Sequence, residues 1–276
     1  MVDALQHGGI PVGVGCKFIA GLARPADDQR HMPWRAQGRT MDPYPARQED
    51  AAAMKNQDRQ FAGHEVYSPL TLSVYDALVL GVSNPLLWKC PTQKILDFYN
   101  QNISANHLDV GVGTGWYLDH CRFPDPAPRL ALMDANGNSL DKAAGRVARY
   151  GPETYLTDVL QPIPGHIEPF DSIALTYLLH CLPGSLAQKC VVFDHLRPLL
   201  CASGVMFGAT ILGANVTCGG IARKLMGFYN ARQIFSNTQD SLAGLEYELH
   251  TRFDDVQLRV VGCVALFRVR LPGPSR

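Results

Sequence analysis

The pattern of apolar and polar positions divides the chain into two parts. Residues 1–60 carry no sustained apolar period, and Gly8-Gly9 with prolines at 11, 25, 33, 43 and 45 interrupts their scattered charges. Such a segment buries too little to order itself, so a tail without fixed structure is expected there. Met54 stands close to the start of ordered-looking sequence as an alternative initiator. Patterned sequence begins near Ser68, an N-cap for a helix over 69–82 that carries Leu70, Leu72, Val74, Leu78 and Leu80. A second helix is expected from Gln93 to Tyr99 and slightly beyond. Short apolar runs then alternate with segments of helical spacing. Strands are expected at 108–110, 130–133, 154–156, 172–176 and 205–209, and helices at 138–150, 186–199 and 240–249, the last capped by Asp240 or Ser241. Apolar strands separated by helices belong to a parallel sheet covered on both faces. The end breaks that rhythm: residues 256–270 hold two strand patterns with little but Gly262 between them, so the two must pair antiparallel. Residues 213–238 exceed an ordinary connection and are expected to hold a helix near 221–229.

Composition narrows the classes of function. Hydrophobic residues make up 46% of the 276 and charged residues 18%, below the usual quarter, which excludes wholesale disorder. With 25 basic against 25 acidic side chains there is no general attraction to phosphate backbones or anionic lipid. No apolar run reaches membrane-spanning length, so neither a nucleic-acid nor a membrane partner is expected. The apolar stretch 8–23 is broken by Lys17 and is glycine-rich, a poor signal peptide. Arginines at 24, 30, 35, 39 and 47 have a transit-peptide flavour that Asp27, Asp28 and Asp42 oppose. None of the eight cysteines forms a Cys-x-x-Cys pair, so no metal site is expected. Several sit in expected core elements, where they act as small hydrophobes, and free thiols in a reducing cytoplasmic compartment are expected.

The strongest chemical signal is Leu108-Asp109-Val110-Gly111-Val112-Gly113-Thr114-Gly115. Glycines at a strand end permit a tight turn and close approach of a ligand to the backbone. The spacing is Gly-x-Gly-x-Gly, which departs at its third glycine from the dinucleotide fingerprint. Asp134 ends the next strand, where a carboxylate can accept from both ribose hydroxyls or simply cap a helix. Asp158, in Thr157-Asp158-Val159, is placed either as a turn residue or to accept from an adenine amino group, with the Val159 or Leu160 amide facing a ring nitrogen.

These pieces, in order with the segments FDSIALTYLLHCLPG and LRPLLCASGVMFGATIL and the terminal strand pair, resemble the class I S-adenosylmethionine-dependent methyltransferases from about residue 64 onward. The likeness is strongest to small bacterial and fungal enzymes, some of secondary-metabolite pathways. It implies a three-layer, Rossmann-like α/β domain over 61–276, with a helical lid at 61–104 and an insertion at 213–238. Its seven strands would be ordered 3-2-1-4-5-7-6, with the last antiparallel. It further implies that Asp109 and the Gly111, Gly113 and Gly115 turn hold the methionine end of S-adenosylmethionine. Asp134 would take the ribose, Asp158 and Val159 the adenine, and Thr176 or Tyr177 the sulfonium side. From the lid, Tyr75 is the preferred contact among His64, Tyr67, Tyr75, Asp76 and Trp88. Met226, Phe228 and Tyr229 are candidates for the opposite wall.

Methyl transfer needs a base only when the acceptor keeps its proton. His180, after the fourth strand, is the candidate; the alternatives are pocket lining and a structural role. Thr176-Tyr177-Leu178-Leu179 stands where nucleic-acid amino-methylating enzymes carry Asn/Asp-Pro-Pro-Tyr, so a small-molecule acceptor is expected. Two rival uses of the fold are a methyltransferase-like cyclase and a non-catalytic pathway partner. Intact Asp109, Asp134 and Asp158 argue against a degenerate scaffold.

Overall fold

A computed structural model describes residues 84–163 and 165–271. The expected helix at 69–82 and the candidates His64, Tyr67, Tyr75 and Asp76 therefore lie outside the described residues, as does the expected tail. Strands β1 (Asn106–Val110), β2 (Arg129–Asp134), β3 (Glu153–Leu156), β4 (Phe170–Thr176), β5 (Leu200–Ile211), β6 (Asp255–Val261) and β7 (Val264–Arg270) form one sheet. Their order is β3-β2-β1-β4-β5-β7-β6. The first five run parallel, and β7 lies antiparallel between β5 and β6. This is the seven-stranded, mostly parallel sheet expected from the resemblance.

The helices are α1 (Thr92–Asn102), α2 (Trp116–His120), α3 (Gly137–Arg146), α4 (Leu186–Lys189), α5 (Val191–Leu196), α6 (Gly220–Ala231) and α7 (Leu242–His250). Successive side chains of a strand point to opposite faces. Ala131 and Met133 of β2 pack with residues of α5 and α7, whereas Leu130 and Leu132 pack with α1, α2 and α3. The same alternation holds in β4, where Ile173 and Leu175 face one layer and Ala174 the other. Three layers follow directly from that period. A third apolar cluster joins Trp88, Ile95, Ile211, Met226, Phe235 and Leu266 beside α6.

Local chemistry explains where elements begin and end. Asn136 caps α3 by accepting from the Asn138 and Ser139 N–H groups, and Ser241 caps α7 by accepting from Gly244 N–H. Ser185 and Gln188 close a capping box on α4. Two expectations are corrected. The single helix at 186–199 is split at Cys190, whose carbonyl takes a tightened bond from Phe193 N–H at 3.1 Å, and Lys189 at the break turns inward. The same segment ends in a 3₁₀ turn at Arg197–Leu199, because Pro198 cannot extend a helical ladder. Strand β5 starts at Leu200, earlier than the apolar run suggests, since Ala202, Ser203 and Gly204 have little strand preference of their own.

The cysteines require a further correction. Cys218, just before α6, and Cys263, in the turn before β7, are joined as a disulfide with Cα atoms 5.9 Å apart. The two are 45 residues apart in the chain, and only the packing of the insertion on the terminal hairpin brings them together. Cys90, Cys121, Cys181 and Cys190 keep their thiols. No helix among the described residues is long and apolar enough to cross a membrane.

Candidate active site

In the order β3-β2-β1-β4-β5 the chain reverses direction across the sheet between β1 and β4. The carboxyl ends of those strands diverge there, which is where ligands enter open α/β sheets. The residues singled out from the sequence converge at this edge. Gly111 donates its N–H to Met133 C=O at 2.8 Å, tying the end of β1 to β2. Gly111 and Gly115 both have φ of +71° and face neighbours closely. A Cβ on Gly111 would stand 2.8 Å from Leu178 Cδ1, and one on Gly115 would stand 3.0 Å from Ala143 Cα. These two glycines let the turn pack against the segment that follows β4 and against α3. Gly113, with φ of +53°, differs: a Cβ there would meet no protein atom within 4 Å. The turn therefore offers bare backbone to open space at its middle glycine, a surface suited to a ligand held against the main chain.

Carboxylates flank that surface. Asp109 lies on the α1 face of β1 and is buried; the Tyr99 hydroxyl donates to its Oδ2. Burial pushes the Asp109 carboxyl up to about 7, against the lowering effect of Tyr99, and the charge of Asp134 adds to the rise. Asp134, half-buried at the tip of β2, accepts the Asn136 N–H at 2.9 Å, which orients the carboxylate at the mouth of the loop. Asp158 follows β3. Its Oδ1 accepts the Leu160 N–H at 2.9 Å, so the Leu160 amide expected to face an adenine nitrogen is engaged by the loop's own side chain. Val159 is buried, and its carbonyl accepts from His195 Nδ1 at 2.8 Å.

The other side of the edge is aromatic. Tyr177 closes β4 with φ of +64°, a conformation that costs a non-glycine residue strain and that clusters at functional sites. Its hydroxyl donates to Asn84 Oδ1 at 3.0 Å, and Asn84 in turn donates to Thr92 Oγ1 at 3.1 Å. His180 meets Tyr177 edge to face at 5.6 Å and Phe235 at 4.6 Å, while Phe235 neighbours Tyr229 at 4.9 Å and Trp88 at 6.1 Å. His180 itself is 3% exposed, and its Nδ1 accepts the Ile211 N–H at 3.3 Å. Burial, helped by the Lys189 charge, holds its imidazole down to about 3, so it is neutral at physiological pH. Of the candidates on the insertion, Met226 is buried, Tyr229 half-buried and Phe228 48% exposed. Trp88 is a core residue.

The demethylluteothin O-methyltransferase of Streptomyces thioluteus is 36% identical over 206 residues, covering 75% of this chain and 90% of that enzyme. The physcion biosynthesis cluster O-methyltransferase of Aspergillus chevalieri is 39% identical over 215 residues, covering 76% of this chain and 95% of that enzyme. Among solved structures, DhpI in complex with SAH superposes with a TM-score of 0.57 at 15% identity, covering 78% of this chain and 98% of that one. No protein-family model matches the chain. The chain belongs to the S-adenosylmethionine-dependent methyltransferases.

Within this methyltransferase, sequence reasoning passed over three side chains that the structure places in the hydrogen-bond networks of Asp109 and Tyr177: Tyr99, His107 and Asn84. Tyr99 belongs to the apolar stripe of α1 and His107 to a strand otherwise read as apolar. One signal was present. His107 and Asp109 are two apart on a buried strand and so share a face, and two polar groups there require partners. Asn84 lies just outside the strand–helix pattern and had no such signal.

Proposed function

We propose that this methyltransferase binds S-adenosylmethionine along the carboxyl ends of β1, β2 and β3 and methylates an oxygen of a small, planar acceptor held against the aromatic side of the same edge. The observation that carries this reading is the turn at Gly113, open in front and flanked by Asp109 and Asp134. Bound there, S-adenosylmethionine supplies a methyl carbon activated by a sulfonium. The Gly111–Gly115 backbone and Asp109 hold the methionine end, Asp134 accepts from the ribose hydroxyls, and Asp158 with Val159 lines the adenine end. A cationic ligand suits an edge lined by carboxylates. Tyr177, just after β4, faces the sulfonium side. Relatives named as O-methyltransferases support oxygen as the acceptor atom.

The chain's role in the transfer is to align the acceptor behind the methyl carbon and to keep water from the edge, since displacement at an activated carbon is limited chiefly by positioning. His180 serves here as a wall residue between Tyr177 and Phe235. Its depressed basicity and its occupied Nδ1 make it a poor proton acceptor at neutral pH. The acceptor's own acidity then governs loss of its proton. The protein, methyl-labelled S-adenosylmethionine and a panel of phenolic and enolic acceptors test this reading. Label transferred to oxygen with equimolar S-adenosylhomocysteine is expected; an acceptor transformed without that release would replace methylation by cyclase chemistry.

A further inference from the structure

Under β1 runs a connected set of polar side chains that the reaction itself does not use. Tyr99 Oη lies 2.9 Å from His107 Nε2, and His107 Nδ1 lies 2.7 Å from Ser172 Oγ. Ser172 Oγ accepts the backbone N–H of Ser104 at 2.9 Å. Tyr99, His107 and Ser172 are buried, and they come from three elements: α1, β1 and β4. Proton counting gives the chain a direction. The one hydroxyl proton of Tyr99 goes to Asp109, so toward His107 the Tyr99 oxygen accepts and Nε2 must carry the proton. Burial pushes the His107 imidazole down to about 3, so it is neutral, and its bare Nδ1 accepts the Ser172 hydroxyl proton. Each donor thus points toward Asp109, from a backbone N–H at one end to a carboxylate at the other.

We propose that Tyr99 is a positioning residue for the cofactor: backed by His107 and Ser172, it holds Asp109 as an oriented carboxylate facing the Gly111–Gly115 turn. This rests on the assignment of the methionine end of the cofactor to that turn. A buried carboxylate would otherwise take up a proton and lose its attraction for a cationic ligand. The groups that face Asp109 are Tyr99 from α1, His107 on its own strand, Cys121 after α2 and Asp134 at the tip of β2. Among these, Tyr99 opposes protonation, whereas burial and Asp134 favour it.

The sign of the pH dependence follows. Burial pushes the Asp109 carboxyl from an ordinary 3.8 outside the fold up to about 7 within it. The unliganded protein therefore loses stability as pH rises from about 3.8 to about 7, where the fold must accept an ionised, buried carboxyl. Cofactor affinity moves the other way and rises as pH passes upward through about 7, because the ammonium at the ligand's methionine end meets a charged partner.

Calorimetric titration of S-adenosylhomocysteine into the wild type and Tyr99→Phe between pH 5.5 and 8 tests the proposal; comparing the two proteins cancels the ligand's own titration. The expected result is affinity lower by roughly tenfold in Tyr99→Phe at pH 7.5, from loss of a charge-assisted hydrogen bond. The midpoint of the pH dependence should also move upward. A residue that merely packs would not move that midpoint. Equal affinity and an unshifted midpoint would overturn the proposal, as would a wild-type affinity that is flat across the range. If Tyr99→Phe fails to fold, Ser172→Ala, which removes the donor to His107, is expected to shift the midpoint in the same direction by a smaller amount. Absence of any binding to the wild type would instead strike at the site assignment under Proposed function.

Discussion

The two halves of the active edge are built differently. The half proposed for the cofactor is made of a glycine turn, strand tips with their carboxylates and the loop amides around them, all within residues 109–160. The half proposed for the acceptor is made of side chains brought from distant parts of the chain. There Lys189, at the end of α4, donates to Asp240 Oδ2 at 2.7 Å and to the Ser236 carbonyl. Ser236 N–H in turn donates to the His180 carbonyl at 2.8 Å. Asn230 Nδ2 donates to Asn237 Oδ1 at 2.9 Å, and the Cys218–Cys263 bridge fixes the approach to α6. Beyond these ties α6 shows Ile221, 74% exposed, and Phe228 to solvent. The contrast teaches a division of labour: under the proposed assignment the cofactor meets main chain and strand-tip carboxylates, and the acceptor meets side chains whose anchors lie behind the wall.

The largest effect should fall on the acceptor half. Lys189 is 0% exposed, and Lys189→Met would leave the Asp240 carboxylate buried without its cation. A loss of about 3–5 kcal/mol is expected in urea denaturation, and the double variant with Asp240→Leu should recover most of it. If the single variant is as stable as the wild type, the pair is not an anchor and the contrast weakens. Asp240 is held above the ordinary carboxylate range by burial, despite the lowering effect of Lys189. Its net contribution to stability therefore comes from satisfying Lys189, and not from the carboxylate alone.

Next comes the middle glycine. Gly113→Ala should weaken binding of S-adenosylhomocysteine by about 1–3 kcal/mol, because the new methyl occupies the space where the ligand lies against the backbone. The left-handed backbone adds about 1–2 kcal/mol of destabilisation. Thermal unfolding with and without ligand separates the two. Binding that survives intact would mean that the open face of Gly113 is not the cofactor surface.

The smallest effect is expected at His180. His180→Gln keeps an acceptor for the Ile211 N–H, and turnover should stay within about threefold of wild type if the residue is a wall. A general base removed in this way costs about a hundredfold or more. Its pH–rate profile should be unchanged, since an imidazole held down to about 3 does not titrate in the working range.

How legible each half was follows from its construction. Strand-end glycines and acidic strand tips are local patterns, so Asp109, Gly111, Gly113, Gly115 and Asp134 could be placed before any coordinates. The sheet order came from the resemblance, and the antiparallel hairpin from the lack of room between Val261 and Val264. The acceptor half depends on tertiary pairing: nothing near Lys189 announces Asp240, and nothing near Cys218 announces Cys263. The helix expected over 186–199 is broken for the same reason, since its break turns Lys189 toward a partner 51 residues away. Tyr99 escaped notice because its apolar ring fits a helix stripe and its hydroxyl finds a use only across the layer.

The central claim is that the cofactor lies on the main-chain half, with its ribose at Asp134. Calorimetric titration of S-adenosylhomocysteine into Asp134→Ala tests it most directly. Affinity lower than wild type by about 1–3 kcal/mol, with the unfolding temperature of the unliganded protein little changed, is the predicted result. An affinity equal to wild type would contradict the account.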